Sequence, residues 1–532
     1  MCGITGAFSK HGETQQDFRY ALQRMTDVIA HRGPDDEGCW DAMLPDGSFV
    51  GLGSRRLAIL DLSPAGHMPM TTTDANYTIV YNGEIYNYPE LKSKLEARGY
   101  RFRSRSDTEA ILYLFQEYGP DCVQHLNGMF AIAVWDSLRQ RLFLARDHFG
   151  IKPLYYTQSG GNFAFGSEVK SLLQIPWVTA AINPSALSQF LTFTWVPDPD
   201  TMFRGIHKLP AGHFAMFHRG ELNISQYWDL ALPKKGYHFR ASEEDLAEEV
   251  RSRFARSVKS QLLSDVPVGA FLSAGLDSSG IVGVMAKEVS DPVRTYTITF
   301  PSKYLVGEKT LDNPAVPRRL AHQLGCQHHE IVVEPEIVDL LPRIVWHMDE
   351  PVADPAIIAA YLVCKNARDQ VTVLLSGIGG DEVFAGYRKH YAHFWSQAYQ
   401  KVPHFLRQGF EKGILNLPAM RGSSVKGTVR LLKKMARSGS LSPRESFLSN
   451  CAYFTEPMKS VLLQPDISAV ARTEDPFRRH YGYFEKAKDS TFLDQMLYLD
   501  LKAFMVSLNL TYNDKMSMAS SLEVRVPFLD RE

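Results

Sequence analysis

The run Val268-Gly-Ala-Phe-Leu272, followed without a break by Ser273-Ala-Gly-Leu-Asp-Ser-Ser279, decides the architecture of the second half of the chain. The first five residues read as a short buried strand, and the next seven as a small-residue turn that opens a helix. Small residues at such a turn let backbone N–H groups face a phosphate, and the helix N-terminus favours the anion. No Gly-Lys-Ser/Thr follows, so the turn is not a Walker loop. Upstream, Ser242 with Asp245 forms a capping-box start. Leu246, Val250, Phe254, Val258 and Leu262 then recur every four residues along one helical face. Downstream, Tyr296 to Phe300 and Val371 to Leu375 are short β runs between helical stretches. Strands alternating with helices predict an α/β domain with a parallel sheet. A second small-residue loop, Ser376-Gly-Ile-Gly-Gly-Asp-Glu-Val-Phe-Ala-Gly-Tyr387, follows the last of these strands. One such loop alone reads as an ordinary helix cap. Two, each at the end of a predicted strand, favour a ligand site, because ligands of α/β sheets sit at the carboxyl ends of strands.

The first 220 residues or so have a different texture. Tyr77 to Tyr81, Met129 to Trp135, Arg141 to Ala145 and Asn162 to Phe165 are β-rich runs broken by Gly, Asn and Asp. Two helical faces interrupt them, Phe18-Leu22-Met25-Ile29 and Ile111-Leu114-Phe115-Tyr118. This mixture predicts a layered α+β domain over residues 1–215. A polar connector with Gly220, Pro233, Lys234, Lys235 and Gly236 is expected over 216–241, and the α/β domain over 242–532. A chain of 532 residues is long enough for two to four domains. Its net charge of −1 gives no bulk electrostatic footprint for nucleic acid or an acidic membrane. The basic stretch 420–445 (Arg421, Lys426, Arg430, Lys433, Lys434, Arg437) reads as a solvated helical face. The six cysteines are scattered with no CxxC pair, which signals neither zinc nor a disulfide framework and suits a reducing cytosol. The start Met-Cys-Gly-Ile-Thr-Gly has no secretory pattern. The apolar run Ala356 to Val363 is far short of the ~20 residues of a spanning helix.

Cys2 directly follows the initiator methionine. Removal of Met1 would leave one residue with both a thiol and an α-amine, and that amine can serve as general base for its own side chain. Position alone says little. Around it, however, stand Cys2-Gly-Ile-Thr-Gly6, His31-Arg-Gly-Pro-Asp35, Arg55-Arg-Leu-Ala-Ile-Leu-Asp61, Tyr81-Asn-Gly-Glu-Ile-Tyr-Asn87, Ser106-Asp-Thr-Glu109 and Ala145-Arg-Asp-His-Phe-Gly-Ile-Lys-Pro153. In this order they resemble the glutaminase domain of the N-terminal-nucleophile amidotransferases. Taken singly, Asn82-Gly83 reads as a turn, Ser106 with Glu109 as a capping box and Arg56 as a surface charge. The resemblance implies that Cys2 attacks the glutamine side-chain amide and that Asn82 and Gly83 form the oxyanion hole. It also implies that Arg56 holds the α-carboxylate of glutamine, and that Asp107, supported by Glu84, holds the α-ammonium.

The loop Ser273 to Ser279 resembles the pyrophosphate loop Ser-Gly-Gly-x-Asp-Ser of N-type ATP pyrophosphatases, with Ala274 in place of the first Gly. Ala is tolerated there if its φ is negative. The resemblance implies ATP contacts at Leu272, Ser273, Gly275, Asp277, Ser278, Ser279, Ile298, Ser376 and Gly377. It implies Mg²⁺ ligands at Asp277 and Asp381, with Glu382 beside them. Asp349-Glu-Pro-Val-Ala-Asp354 and Lys515-Met-Ser-Met-Ala-Ser-Ser-Leu-Glu-Val-Arg-Val-Pro-Phe-Leu-Asp530 extend it, so the whole chain resembles the glutamine-hydrolysing asparagine synthetase family. There are two departures. Ile378 stands where the family commonly has an acidic residue near the acyl acceptor. The chain also stops at Glu532, where family members continue to a lysine thought to stabilise adenylation, so a C-terminally truncated chain is expected. The implied reaction is glutamine hydrolysis coupled to MgATP-dependent adenylation and amidation of a carboxylate, aspartate first. Alternatives are the same machine on a sugar acid or other metabolite, an ammonia-only enzyme, or a non-catalytic nucleotide-binding relative. The expected partners are glutamine, ATP and the acceptor, with no nucleic acid and no membrane. The resemblance leaves room for a homodimer, and the expected location is the cytoplasm.

Overall fold

The structure, a computed structural model, describes residues 2–10, 14–299, 314–333, 338–391 and 441–532, with a few isolated positions between 392 and 440. Met1, Phe300 and the basic residues Arg421, Lys426, Arg430, Lys434 and Arg437 lie outside the described residues.

Among the described residues the strands form three sheets. Two are six-stranded and built from antiparallel pairs, and they stack face to face. Period-two alternation does the sorting. In the strand Tyr77–Ile85, Val80 points into the cluster between the sheets, while Ile79 and Tyr81 point to the opposite face. In Gly128–Asp136, Ala131, Ala133 and Trp135 face the partner sheet, and Phe130, Ile132 and Val134 face the helices. Helices Tyr88–Ala97 and Asp107–Tyr118 cover that outer face. Helix Gln15–Asp27 covers the far side of the other sheet through Phe18 and Met25. The result is the helix–sheet–sheet–helix layering expected of an N-terminal-nucleophile hydrolase. The strand Cys2–Ser9 is interior, between Phe49–Arg56 and Asn162–Gly166, and is buried along its whole length. Cys2 therefore stands at the end of a strand that cannot shift without breaking two ladders.

The first sheet pair extends past the expected boundary at residue 215. His213–His218 and Glu221–Gln226 form a hairpin whose two turn residues, Arg219 and Gly220, both have positive φ, at 53° and 83°. That is the backbone of a two-residue hairpin turn. Residues 216–226 are thus edge strand rather than connector. The sequence hides this because an edge strand is exposed and polar.

The third sheet is parallel, in the order Gln327–Val332, Arg294–Thr299, Val268–Phe271, Val373–Leu375, Glu523–Arg525. Its order reverses direction between Val268–Phe271 and Val373–Leu375. This is the topological switch point where ligands enter doubly wound sheets. The helix Glu243–Ser260 forms as expected, with Ser242 Oγ accepting from Asp245 N at 3.1 Å. Only its C-terminal half packs, however. Val258 is buried and Phe254 stacks on Phe528, whereas Leu246 and Val250 are exposed.

Ile132 has no exposed surface and packs between sheet and helices, whereas Ile224 on the edge strand is 39% exposed. Ile132→Ala is expected to cost ~2–5 kcal/mol, and Ile224→Ala less than ~0.5 kcal/mol. Thermal melting of the two variants side by side measures the difference, and equal midpoints would contradict the layering.

Candidate functional site

The chain holds two candidate sites, one on the sandwich and one at the parallel sheet. The first is built on the end of strand Cys2–Ser9. The backbone nitrogen of Cys2, which in a chain freed of Met1 becomes the α-amine, donates to Asn82 Oδ1 at 2.9 Å. With its oxygen so engaged, Asn82 turns its amide nitrogen into the site, where this buried donor has no partner. An unpaired amide donor beside a thiol is what a developing oxyanion can use. Burial pushes the Cys2 thiol up, and the backbone N–H of Leu57 and the charge of Arg56 draw it back. Gly83 is held to glycine by closeness. A Cβ there would lie 2.1 Å from the carbonyl oxygen of Met129 on the adjacent strand.

The expected binding residues are brought together with different partners. Arg56 pairs with Cys2 across the ladder. Its guanidinium donates to the carbonyls of Leu60 at 3.1 Å, Asp61 at 2.6 Å and Ser63 at 3.4 Å, so it also shapes the 60–63 loop. Asp107 is buried in the first turn of its helix and accepts from Tyr81 Oη at 2.9 Å and Ile85 N at 3.0 Å. Burial raises its carboxyl. Glu84 does not stand free beside Asp107. Its Oε2 lies 3.1 Å from Arg525 Nη2, across the junction, and Oε1 is buried without a partner. Burial, then the charge of Asp107, hold the Glu84 carboxyl well above the usual range, against the pull of Arg525. Two buried acids that resist ionising together make a pair whose charge an ammonium would offset. The capping-box reading of Ser106 and Glu109 fails. Ser106 Oγ caps Thr108 N, while Glu109 accepts from Arg103 N and Ser104 N.

The second site is a cavity of about 410 Å³ at the switch point of the parallel sheet. Leu272, Ser273, Gly275, Asp277, Ser278, Ile298, Ser376, Gly377 and Asp381 all line it, as expected. Ser279 does not line it; its Oγ turns back to Gly275 O at 2.7 Å. The helix Leu276–Glu288 starts with no side-chain cap, so its first N–H groups remain open. Ala274 is absent from the residues with positive φ, which is why Ala is tolerated there. The two loops press together. A Cβ on Gly377 would lie 2.9 Å from Asp277 Cβ, and one on Gly380 would lie 2.5 Å from Asp277 Cγ. Gly379 has φ 101°, which favours glycine. Burial, then the charges of Asp381 and Glu382, raise the Asp277 carboxyl. Carboxylates that repel one another in a glycine cradle suit a hard divalent cation completed by phosphate oxygens and water. Among the described residues no ready-made group of three metal ligands exists, so the protein would supply only part of the shell.

Tyr387, at the end of the second loop motif, also lines the cavity, together with Asn509 and Tyr512, which no motif marked. Asn509 comes from Asp500–Leu510, a π-helical segment joining Phe492–Leu499 to Thr511–Met518. Wide π turns often mark functional sites, but they have no pattern to read. The motif from Asp349 to Asp354 turns out to be a clasp between the domains. Asp349 accepts from Val169 N at 2.9 Å and pairs with Lys170 and Lys515, while Glu350 accepts from Met202 N at 2.7 Å.

Two family models match the chain: a glutamine amidotransferase domain over residues 1–228 and asparagine synthase over residues 249–532. Among its relatives, "Asparagine synthetase [glutamine-hydrolyzing] 1" of Bacillus subtilis (strain 168) is 37% identical over 538 aligned positions, covering 100% of this chain and 80% of that protein. "Asparagine synthetase [glutamine-hydrolyzing] 3" of the same organism is 35% identical, with 100% and 79% covered. "Amidase chyE" of Penicillium rubens is 30% identical, with 100% and 81% covered.

Gly380→Ala would drive the Asp277 carboxylate out of place. A displacement of about 1 Å is expected to slow MgATP-dependent pyrophosphate release roughly a hundredfold and to leave glutamine hydrolysis within about twofold. Parallel assays of both activities on one preparation check this.

Proposed function

The chain belongs to the asparagine synthase family, and from that membership we propose that it is a glutamine-dependent ligase that makes an amide from a carboxylate at the expense of MgATP. In the sandwich, Cys2 freed of Met1 attacks the side-chain amide of glutamine. Its own amine, held by Asn82 Oδ1, takes the thiol proton and passes it to the leaving ammonia. The unpaired amide donor of Asn82 and the N–H of Gly83 stabilise the oxyanion. Water then releases glutamate from the thioester. Asp107 receives the α-ammonium. Arg56 receives the α-carboxylate with the donors that the 60–63 carbonyls leave free. Glu84 acts from behind, adding negative charge.

At the parallel sheet, the uncapped N-terminus of Leu276–Glu288 and the two serine loops bind the phosphates of ATP. Asp277 and Asp381 would hold Mg²⁺, which offsets phosphate charge as pyrophosphate leaves. The acceptor carboxylate displaces pyrophosphate to give an acyl-adenylate. Ammonia attacks its acyl carbon, giving amide and AMP.

One observation carries this reading. A single buried apolar cluster runs from Met129, which crowds Gly83, through Ile151, Met505, Leu510 and Val526 to Ile378, which lines the cavity. Ammonia is useful only unprotonated, and an apolar path disfavours ammonium. Ile378 can neither coordinate a metal nor accept a proton, so the acceptor is recognised by other groups. Aspartate is the first reading. A different carboxylate is the second, supported by Ile378 and by likeness to a protein named as an amidase. Among the described residues no helix is long and apolar enough to cross a membrane.

Cys2→Ala is expected to lower glutamate release about a thousandfold or more, while pyrophosphate release supported by added ammonia persists. Loss of both would point to misfolding and count against the assignment of Cys2. Ammonia-supported pyrophosphate release across a panel of carboxylic acids identifies the acceptor. Aspartate giving no release while another acid does would overturn asparagine synthesis.

A further inference from the structure

One turn of the helix Thr511–Met518 serves two sites. Tyr512 and Asn513 line the cavity at the parallel sheet. The next residue, Asp514, is 2% exposed and points into the sandwich. Its Oδ2 accepts from Arg32 Nη2 at 2.8 Å. The same guanidinium donates through Nε to the carbonyl oxygen of Cys2 at 3.2 Å, and through Nη1 to Glu168 Oε1 at 2.9 Å. The backbone next to it is held from the same side, with Ser521 Oγ donating to His31 O at 2.7 Å. The guanidinium is planar and has no exposed surface. With three donors committed in three directions, it cannot keep all its bonds if the helix moves. Its Nε bond and the Asn82 bond hold the two ends of the Cys2 backbone.

We propose that Arg32 is a positioning residue that transmits the state of the ATP site to Cys2 through Asp514. Closure of Tyr512 and Asn513 on a nucleotide shifts Asp514, Arg32 follows, and the Cys2 carbonyl is re-aimed, which sets how well the thiol meets the glutamine amide. Such a link is a two-state element that both sites can bias, the physical requirement for coupling. It rests on the two-site reading above. Neither residue is needed as an acid, a base or a metal ligand.

Glutamine hydrolysis by the full chain, measured with and without MgATP, tests the link. In the unmodified protein MgATP is expected to change kcat/KM for glutamine about fivefold or more. Asp514→Asn leaves Arg32 paired with Glu168, while Lys152 loses the carboxylate 3.5 Å from it, so Lys152→Met alone, which should keep the MgATP ratio, is measured as the control. In Asp514→Asn, and in Arg32→Lys, the ratio should fall to near one, and the double variant should lose no more than either alone. Melting temperature is read alongside. A purely structural role would slow both conditions by the same factor and keep the ratio, which overturns the proposal. Hydrolysis that ignores MgATP in the unmodified protein also overturns it, but leaves the glutaminase reading standing. No hydrolysis at all overturns both.

Discussion

Arg525 is the charge on which the two halves turn. It has no exposed surface and lies on the last strand of the parallel sheet. Its side chain binds Glu523, reaches Glu84 on the oxyanion strand, and donates to the carbonyls of Gln261 and Leu263. Its own carbonyl accepts from Ser376 N at 2.8 Å, the first residue of the second cavity loop. A buried guanidinium is tolerable only while its partners stay in place, and losing one leaves a charge without solvent. Separating sandwich from sheet would break the Glu84–Arg525 and Arg32–Asp514 pairs together.

That constraint explains how two unrelated chemistries sit on one chain. The sandwich sets Cys2, the proposed nucleophile, at the end of a strand paired on both sides. The parallel sheet supplies open N–H groups and repelling carboxylates at its switch point, which suits polyphosphate and a hard cation. The proposed reaction joins them through an uncharged intermediate that crosses from one to the other. The apolar cluster from Met129 to Ile378 joins residues of both halves.

Most site residues were legible because their chemistry is local in sequence. Ser273, Asp277, Ser376 and Asp381 follow strands that announce themselves by short apolar runs, and Cys2 is placed by position. Glu84 shows the limit. Its neighbourhood in sequence points to substrate binding, yet its carboxylate faces Arg525, a partner hundreds of residues away. Residues 216–226 were misplaced for a related reason. An edge strand lacks the buried face that makes strands visible, and only its pairing with His213–His218 reveals it. The helix Glu243–Ser260 shows the converse, since its apolar period is real but Leu246 and Val250 are left uncovered.

The amino-acid sequence by itself determined most of the buried strands and helices, that a cysteine at position 2 and two small-residue loops after strands exist, and which family they resemble. These follow from period, turn chemistry and residue type within a few positions of one another. Tertiary structure alone decided that the two loops are neighbours across a sheet reversal, that Tyr387, Asn509 and Tyr512 complete the cavity, and that the Asp349 motif is a clasp. It also decided that Arg32 touches both Cys2 and Asp514. Those facts depend on contacts between residues far apart in the chain, whose partners are chosen by burial and charge pairing, and no local pattern encodes them.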